Sequence, residues 1–293
     1  MSQAAGQLTG QILVLGCLYA LVGVGFVVLF RATGVVNFAQ GEFMVLGAYF
    51  FYGFLVELHL DALVSILAAM IATMVLGLLV NALIFYRLVG ASLFTIVVAT
   101  MGLSLLLETI QLIVWGPDTR VLPNVLSGNN LISPLGIPLS ALDLVTIIGS
   151  VVLIAALAIG LQRTRVGVRM RAVADSTLLA ALQRVSIPRY AGLAWALASL
   201  CSALAGVGIA LQTAVDPVNI GQLGLLIFPV VIIGGIDSIG GAFVGGLIVA
   251  SIQTLVAYYL SGTWVDPINY GLLLAFLLLR PRGLFGSREI IRV

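Results

Sequence analysis

The sequence predicts an all-α, polytopic transmembrane bundle of about eight to ten helices, and three observations predict it. Apolar residues make up 61% of the 293 residues and charged residues only 8%, where soluble domains carry about a quarter. Mean hydropathy is +1.23, so water is not the main solvent of this chain. The apolar residues also fall into runs near the roughly 20 residues that a helix needs to cross the hydrocarbon core of a bilayer. The connections between runs are too short for a sizeable soluble domain, so residues 1–293 read as one transmembrane domain.

The runs cover 8–30, 36–56, 62–86, 93–114, 142–161, 190–212, 223–239, 241–260 and 264–279. No Arg or Lys precedes Arg31, so the first run lacks the basic flank of a cleavable signal peptide and reads as the first span. Two runs are less regular. The run 36–56 opens on polar residues, and 223–239 is short and ends in Gly-Gly-Ile-Asp-Ser-Ile-Gly-Gly, which also suits a re-entrant half helix. If all nine cross, the termini lie on opposite sides. Twelve of the thirteen arginines then share one side: Arg31, Arg87, the cluster Arg163, Arg165, Arg169, Arg171, Arg184 and Arg189, and finally Arg280, Arg282, Arg288 and Arg292. Arg120 falls opposite, with Asp61, Asp118, Asp216 and Asp266. Basic residues accumulate on the cytoplasmic side, which places the N-terminus outside and the C-terminus inside.

Two hydrophilic connections are long, 115–141 outside and 162–189 inside. In the inner one, Asp175 can cap a short amphipathic helix through Leu178, Leu179, Ala181 and Leu182, with Arg184 following and Pro188 restarting the chain. Such a helix could dock its apolar face in a groove of a motor protein, or lie at the lipid headgroups.

Polar residues within the runs are expensive unless paired or hydrated, so each either locks helices together or lines a pathway. Read as helix, Asn37 and Gln40 lie one turn apart while Glu42 points about 140° from Asn37, so the three cannot all face one pore. Thr100, Ser104 and Glu108 form a stripe at helical spacing on the run 93–114. Glu108 is a functional candidate there; its alternative is a partly hydrated acid near the outer interface. Gly234 and Gly235 begin a paired glycine series continued at Gly240, Gly241, Gly245 and Gly246. Gly241 and Gly245 have the spacing for close helix approach, and the pairs could equally hinge a helix beside a pathway.

Several chemistries are excluded or disfavoured. The chain has no lysine, so a GxxxxGK[ST] phosphate loop is impossible and any ATP hydrolysis belongs to a partner. His59 is the sole histidine and borders an outer turn beside Glu57 and Asp61, so neither a histidine-rich metal site nor a catalytic triad can be assembled. Cys17 and Cys201 sit inside runs, where a thiol behaves as a small apolar residue. The net charge of +2 is spread along the chain and implies no nucleic acid. No catalytic, cofactor-binding or metal-ligating residue is expected.

The segments VVNFAQGEFMVLGAY, ATMGLSLLLETIQLIVWGPDTRVLP, RMRAVADSTLLAAL, GGIDSIGGAFVGG and LLLRPRGLFG occur in the order, and over nearly the whole length, seen in the branched-chain amino-acid ABC permease family of the LivH/LivM type, which the chain resembles. The resemblance implies a permease subunit in a bacterial cytoplasmic membrane, paired with a second homologous permease as a homo- or heterodimer. It also implies two cytoplasmic ABC ATPases that bind ATP and Mg, and a periplasmic substrate-binding protein. By this analogy 172–187 is the coupling helix. Family members usually carry a glutamate near 178, a glycine near 184 and a proline near 240, where this chain has Leu178, Arg184 and Gly240. The family also includes carriers of urea, short amides and aromatic acids. Two other classes stand beside this expectation: an ATP-independent secondary transporter, with Glu108 as its deep ionisable group, and a channel, which would want a selectivity sequence or charged ring.

Overall fold

The computed structural model describes residues 3–88, 90–123, 137–175, 180, 182–183 and 185–286. In chain order the α-helices among them are α1 (Gln3–Thr33), α2 (Gln40–Tyr52), α3 (Ala62–Leu83), α4 (Leu93–Trp115), α5 (Ala141–Arg163), α6 (Arg165–Asp175), α7 (Ile187–Gln212), α8 (Pro217–Leu225), α9 (Ile227–Gly234), α10 (Ile239–Tyr259) and α11 (Val265–Leu279). The one antiparallel backbone pairing among the described residues is an isolated bridge between Arg120 and Val215. Hydrocarbon imposes this economy, because a helix satisfies its backbone N–H and C=O groups within itself. Seven of the helices are long and apolar enough to cross a bilayer: α1, α3, α4, α5, α7, α10, and α11 taken with the 3-10 turn Gly262–Trp264 before it.

The two irregular runs are the ones without a full-length helix. After α1 the chain turns at Gly34, whose φ of 69° glycine adopts without strain, and its N–H closes on the Phe30 carbonyl at 2.7 Å. Helix resumes only at Gln40, so α2 is short, although a π-helical turn at Gly53–Glu57 prolongs it. The run 223–239 is divided between α8 and α9. Pro229 has no N–H to offer the Leu225 carbonyl, and the helix that opens at Pro217 stops there.

The chain folds as two compact units. The first takes in the described residues of Met1–Val27, Leu126–Val151 and Leu226–Val293. Glycines bring its helices to backbone contact: a Cβ on Gly245 of α10 would overlap the Val230 carbonyl of α9, and one on Gly246 would crowd Gly16 and Ala20 of α1. Phe26 and Phe228 meet edge to face at 5.9 Å, and the Tyr19 hydroxyl donates to Gln253 Oε1 at 2.6 Å. After α11 the chain returns to the end of α9. There the Leu284 N–H donates to the Ile233 carbonyl at 2.8 Å and the Phe285 N–H to the Gly234 carbonyl at 2.9 Å.

The second unit takes in the described residues of Val28–Val125 and Val152–Leu225. Helices α2, α3 and α7 pack on one another in all three pairings. A Cβ on Gly206 of α7 would overlap the Met44 backbone of α2, one on Gly47 of α2 would overlap Ala203, and Gly77 of α3 lies against Trp195 and Ser199. The fully buried Trp195 stacks on Phe85 at 4.4 Å and leans on Phe43 at 6.2 Å. Helix α6 buries Gly167, Met170 and Val173 at three-residue spacing and exposes Arg165, Arg169 and Arg171, with Arg169 donating to the Tyr190 hydroxyl at 3.1 Å.

The backbone contact at Gly206 leaves no room for a side chain, whereas a Cβ on Gly149 of α5 meets nothing within 4 Å. Gly206→Leu is therefore expected to destabilise the protein by about 3 kcal/mol or more through overpacking, while Gly149→Ala keeps or slightly raises stability through helix propensity. Melting of the detergent-purified variants checks both; equal melting temperatures for Gly206→Leu and the parent would contradict the packing described.

Candidate functional site

The polar residues of the 37–42 segment divide into two groups. Asn37 precedes α2 rather than lying within it, so the helical spacing expected between Asn37 and Gln40 does not apply. The chain turns instead through Asn37 Oδ1, which accepts from the Ala39 N–H at 3.1 Å. The Asn37 side-chain amide then donates to Gln40 Oε1 at 2.9 Å. Gln40 Nε2 donates to Ser202 Oγ at 2.7 Å and to the Ala198 carbonyl at 3.1 Å, both on α7. Both side chains are 1% exposed. Both hydrogen bonds from the Gln40 amide to α7 are buried, and they lock α2 to α7.

Glu42, in the first turn of α2, points elsewhere. Its Oε1 accepts from Ser104 Oγ of α4 at 3.3 Å, and its backbone carbonyl accepts from Gln111 Nε2 at 3.2 Å. Thr100 donates to the Val36 carbonyl at 3.1 Å and to Val97 at 2.9 Å. One face of α4 thus presents Thr100, Ser104, Glu108 and Gln111 in sequence to the start of α2 and the turn before it. Glu42, Ser104 and Glu108 line one cavity of about 280 Å³. Its opposite wall is α8, with Pro217, Gly221 and Gln222; Phe38, Leu112 and Leu225 supply apolar surface. Helix α8 comes so close to α2 that a Cβ on Gly224 would overlap Gly41.

Glu42 and Glu108 line the same cavity, and among the described residues no arginine forms an ion pair with either. Glu108 is exposed and lies seven residues before the end of α4, about 10 Å along the helix axis. A carboxylate at that depth does not face hydrocarbon without heavy cost.

A cluster at the far end of α4 fixes the cavity walls. Arg120 approaches Glu57 at 3.7 Å, stands over the Tyr52 ring at 5.1 Å and donates to the Trp115 carbonyl at 2.7 Å. Trp115 stacks on Tyr49 of α2 at 4.8 Å. Thr119 donates to Asp216 at 3.0 Å, and Asp216 in turn accepts from the Asn219 N–H at 3.0 Å, capping α8 just before Pro217. The ends of α2, α4 and α8 are held together by these contacts.

Gly234 and Gly235 lie in the other unit, where Gly234 packs on Gly241 and Gly235, with φ 116°, packs on Gly286. Of the inner connection, Asp175 is the last residue of α6, and beyond it the described residues Ala180 and Leu182 are helical. Leu182 is described and exposed. Leu178, Leu179, Ala181 and Arg184 lie outside the described residues. Sequence reasoning missed Gln111, Gln222 and Ser202. Gln111 carried a usable signal, being one turn beyond Glu108 on the same stripe; Gln222 and Ser202 did not, since only tertiary packing brings them to Glu42 and Gln40.

Gln40→Leu would leave Ser202 and Asn37 without their partner in a buried setting. We expect a loss of about 1–3 kcal/mol, read as a lower melting temperature. Gln222→Ala, at the cavity wall, is expected to leave the stability within about 0.5 kcal/mol of the parent. A Gln40→Leu protein as stable as the parent would contradict the locking role.

The family model described as "Branched-chain amino acid transport system / permease component" matches residues 8–279. The chain is 26% identical over 293 residues to the high-affinity branched-chain amino acid transport system permease protein BraD of Pseudomonas aeruginosa, covering 96% of this chain and 95% of BraD. It is 25% identical over 291 residues to the LivH permease protein of Escherichia coli K12, covering 95% and 94%. A probable LivH of Methanocaldococcus jannaschii is 24% identical over 284 residues, covering 92% and 89%. No solved structure matches the chain significantly. A match from the first helix to the end of α11, through α2, α4 and α8 of the carboxylate cavity, leaves one assignment: this multi-pass membrane protein belongs to the branched-chain amino acid transport system permease family.

Proposed function

We propose that the chain is the membrane-spanning permease subunit of a binding-protein-dependent ABC importer for branched-chain amino acids in a bacterial cytoplasmic membrane. The observation that carries this reading is the family match over residues 8–279. It is supported by a membrane bundle with a cavity between α2, α4 and α8. The subunit supplies pathway and coupling. A second permease, homologous or identical, completes the pathway; two cytoplasmic ATPases bind ATP and Mg and hydrolyse the nucleotide; a periplasmic protein delivers the substrate. The N-terminus lies outside and the C-terminus inside, which gathers the arginines of α6 and of the segment after α11 on the cytoplasmic face.

In this mechanism, closure of the ATPases on ATP moves the 162–189 connection, with its coupling helix at 172–187. The permease halves rock and expose the pathway alternately to the periplasm and the cytoplasm. The lysine-free sequence has no phosphate loop of its own.

Purification of the tagged chain from native membranes is expected to bring with it two ATPases and a second permease. Proteoliposomes holding that complex are expected to take up leucine, isoleucine or valine only with the loaded binding protein outside and ATP inside. Uptake that continues when the ATPases cannot hydrolyse ATP would make the chain a secondary transporter. Uptake of urea or an aromatic acid in place of leucine would keep the mechanism and change the substrate.

A further inference from the structure

We propose that the cavity between Glu42 and Glu108 receives the α-ammonium group of the amino acid in transit, with its aliphatic side chain against Phe38, Leu112 and Leu225. This deepens the importer reading and rests on it. Charge is the first reason. Two carboxylates line one cavity, and no arginine among the described residues pairs with them. Two carboxylates facing one cavity attract a cation, and an ammonium group offers three donors to their oxygens. Ser104 Oγ, hydrogen-bonded to Glu42 at 3.3 Å, holds that carboxylate in place.

Size and shape are the second reason. A volume of about 280 Å³ sits near the lower end of the roughly 300–1,000 Å³ of small-molecule sites, which suits a solute of amino-acid size. Polar groups come from Glu42, Ser104, Glu108 and Gln222 and apolar ones from Phe38, Leu112 and Leu225, so the cavity offers both kinds of surface that an amino acid with an aliphatic side chain presents. The two acids repel the carboxylate of the substrate, so the amine lies between them and the carboxylate lies away from both, toward the opposite wall where the Gln222 side-chain amide can donate to it.

The test uses the complete transporter in proteoliposomes with radiolabelled leucine. Glu42→Gln combined with Glu108→Gln preserves shape and hydrogen bonding and removes both charges. Its leucine uptake is expected to fall by about thirtyfold or more from loss of a charge contact, and ATP hydrolysis driven by loaded binding protein is measured beside it. Glu42→Asp with Glu108→Asp is expected to restore part of the uptake. Leu112→Trp fills the cavity without altering a charge and is expected to block uptake as well; it carries the test if the double glutamine variant does not assemble. Wild-type uptake by the double glutamine variant, or by Leu112→Trp, overturns the subsite and leaves the importer reading standing. Loss of uptake together with loss of ATP hydrolysis makes the glutamates coupling residues and also overturns the subsite. A wild-type complex that takes up no leucine overturns the importer reading and the subsite with it.

Discussion

The close approach of α2 to α7 is the contact on which the second unit depends. Gly47 and Gly206 let the two backbones touch, and Gln40 closes the contact with hydrogen bonds to Ser202 and Ala198. Within a bilayer there is little hydrophobic gain from pressing one apolar helix on another, because lipid tails are equally apolar. Association rests instead on small residues that permit dense packing and on polar groups that cannot be left unpaired. The α2–α7 seam has both, and it seats a short helix that would otherwise be too short to hold its own position.

From that seat follows the cavity. With α2 pinned by Gln40, Glu42 two residues later is turned toward α4, where Ser104 meets it. Gly41 and Gly224 bring α8 in to close the third side. The Arg120 cluster, with Trp115 on Tyr49 and Asp216 capping α8, ties the three elements at their other end. Two kinds of polar residue are thus separated within six positions: Asn37 and Gln40 are buried and hydrogen-bonded, while Glu42 lines a cavity.

The glycines distribute themselves by the same logic. Gly245 and Gly246 of the first unit and Gly47, Gly77 and Gly206 of the second all sit where another backbone occupies the space of a Cβ, whereas Gly102, Gly149 and Gly240 face open space. Gly234 and Gly235 belong to the packed group, held against Gly241 and Gly286. Their role in the described residues is to admit the returning segment Leu284–Phe285, whose N–H groups bond to the end of α9.

The sequence by itself determined the solvent, the fold class and the long helices. Hydropathy over some 20 residues is a local property that a bilayer reads directly, and seven runs became spanning helices close to where the pattern placed them. It also held the Thr100–Ser104–Glu108 stripe, since spacing along one helix is local. The two irregular runs exposed its limit. Whether 36–56 begins as helix or turn was decided by Gly34 and the Asn37 turn, and the division of 223–239 turns on a single missing N–H at Pro229. Only the tertiary structure decided which polar residues lock and which line a cavity, because Gln40 finds Ser202, and Glu42 finds Ser104, from more than sixty residues away. Such pairings depend on helix rotation and on backbone distance at glycines, and neither is written in the periodicity of any one segment.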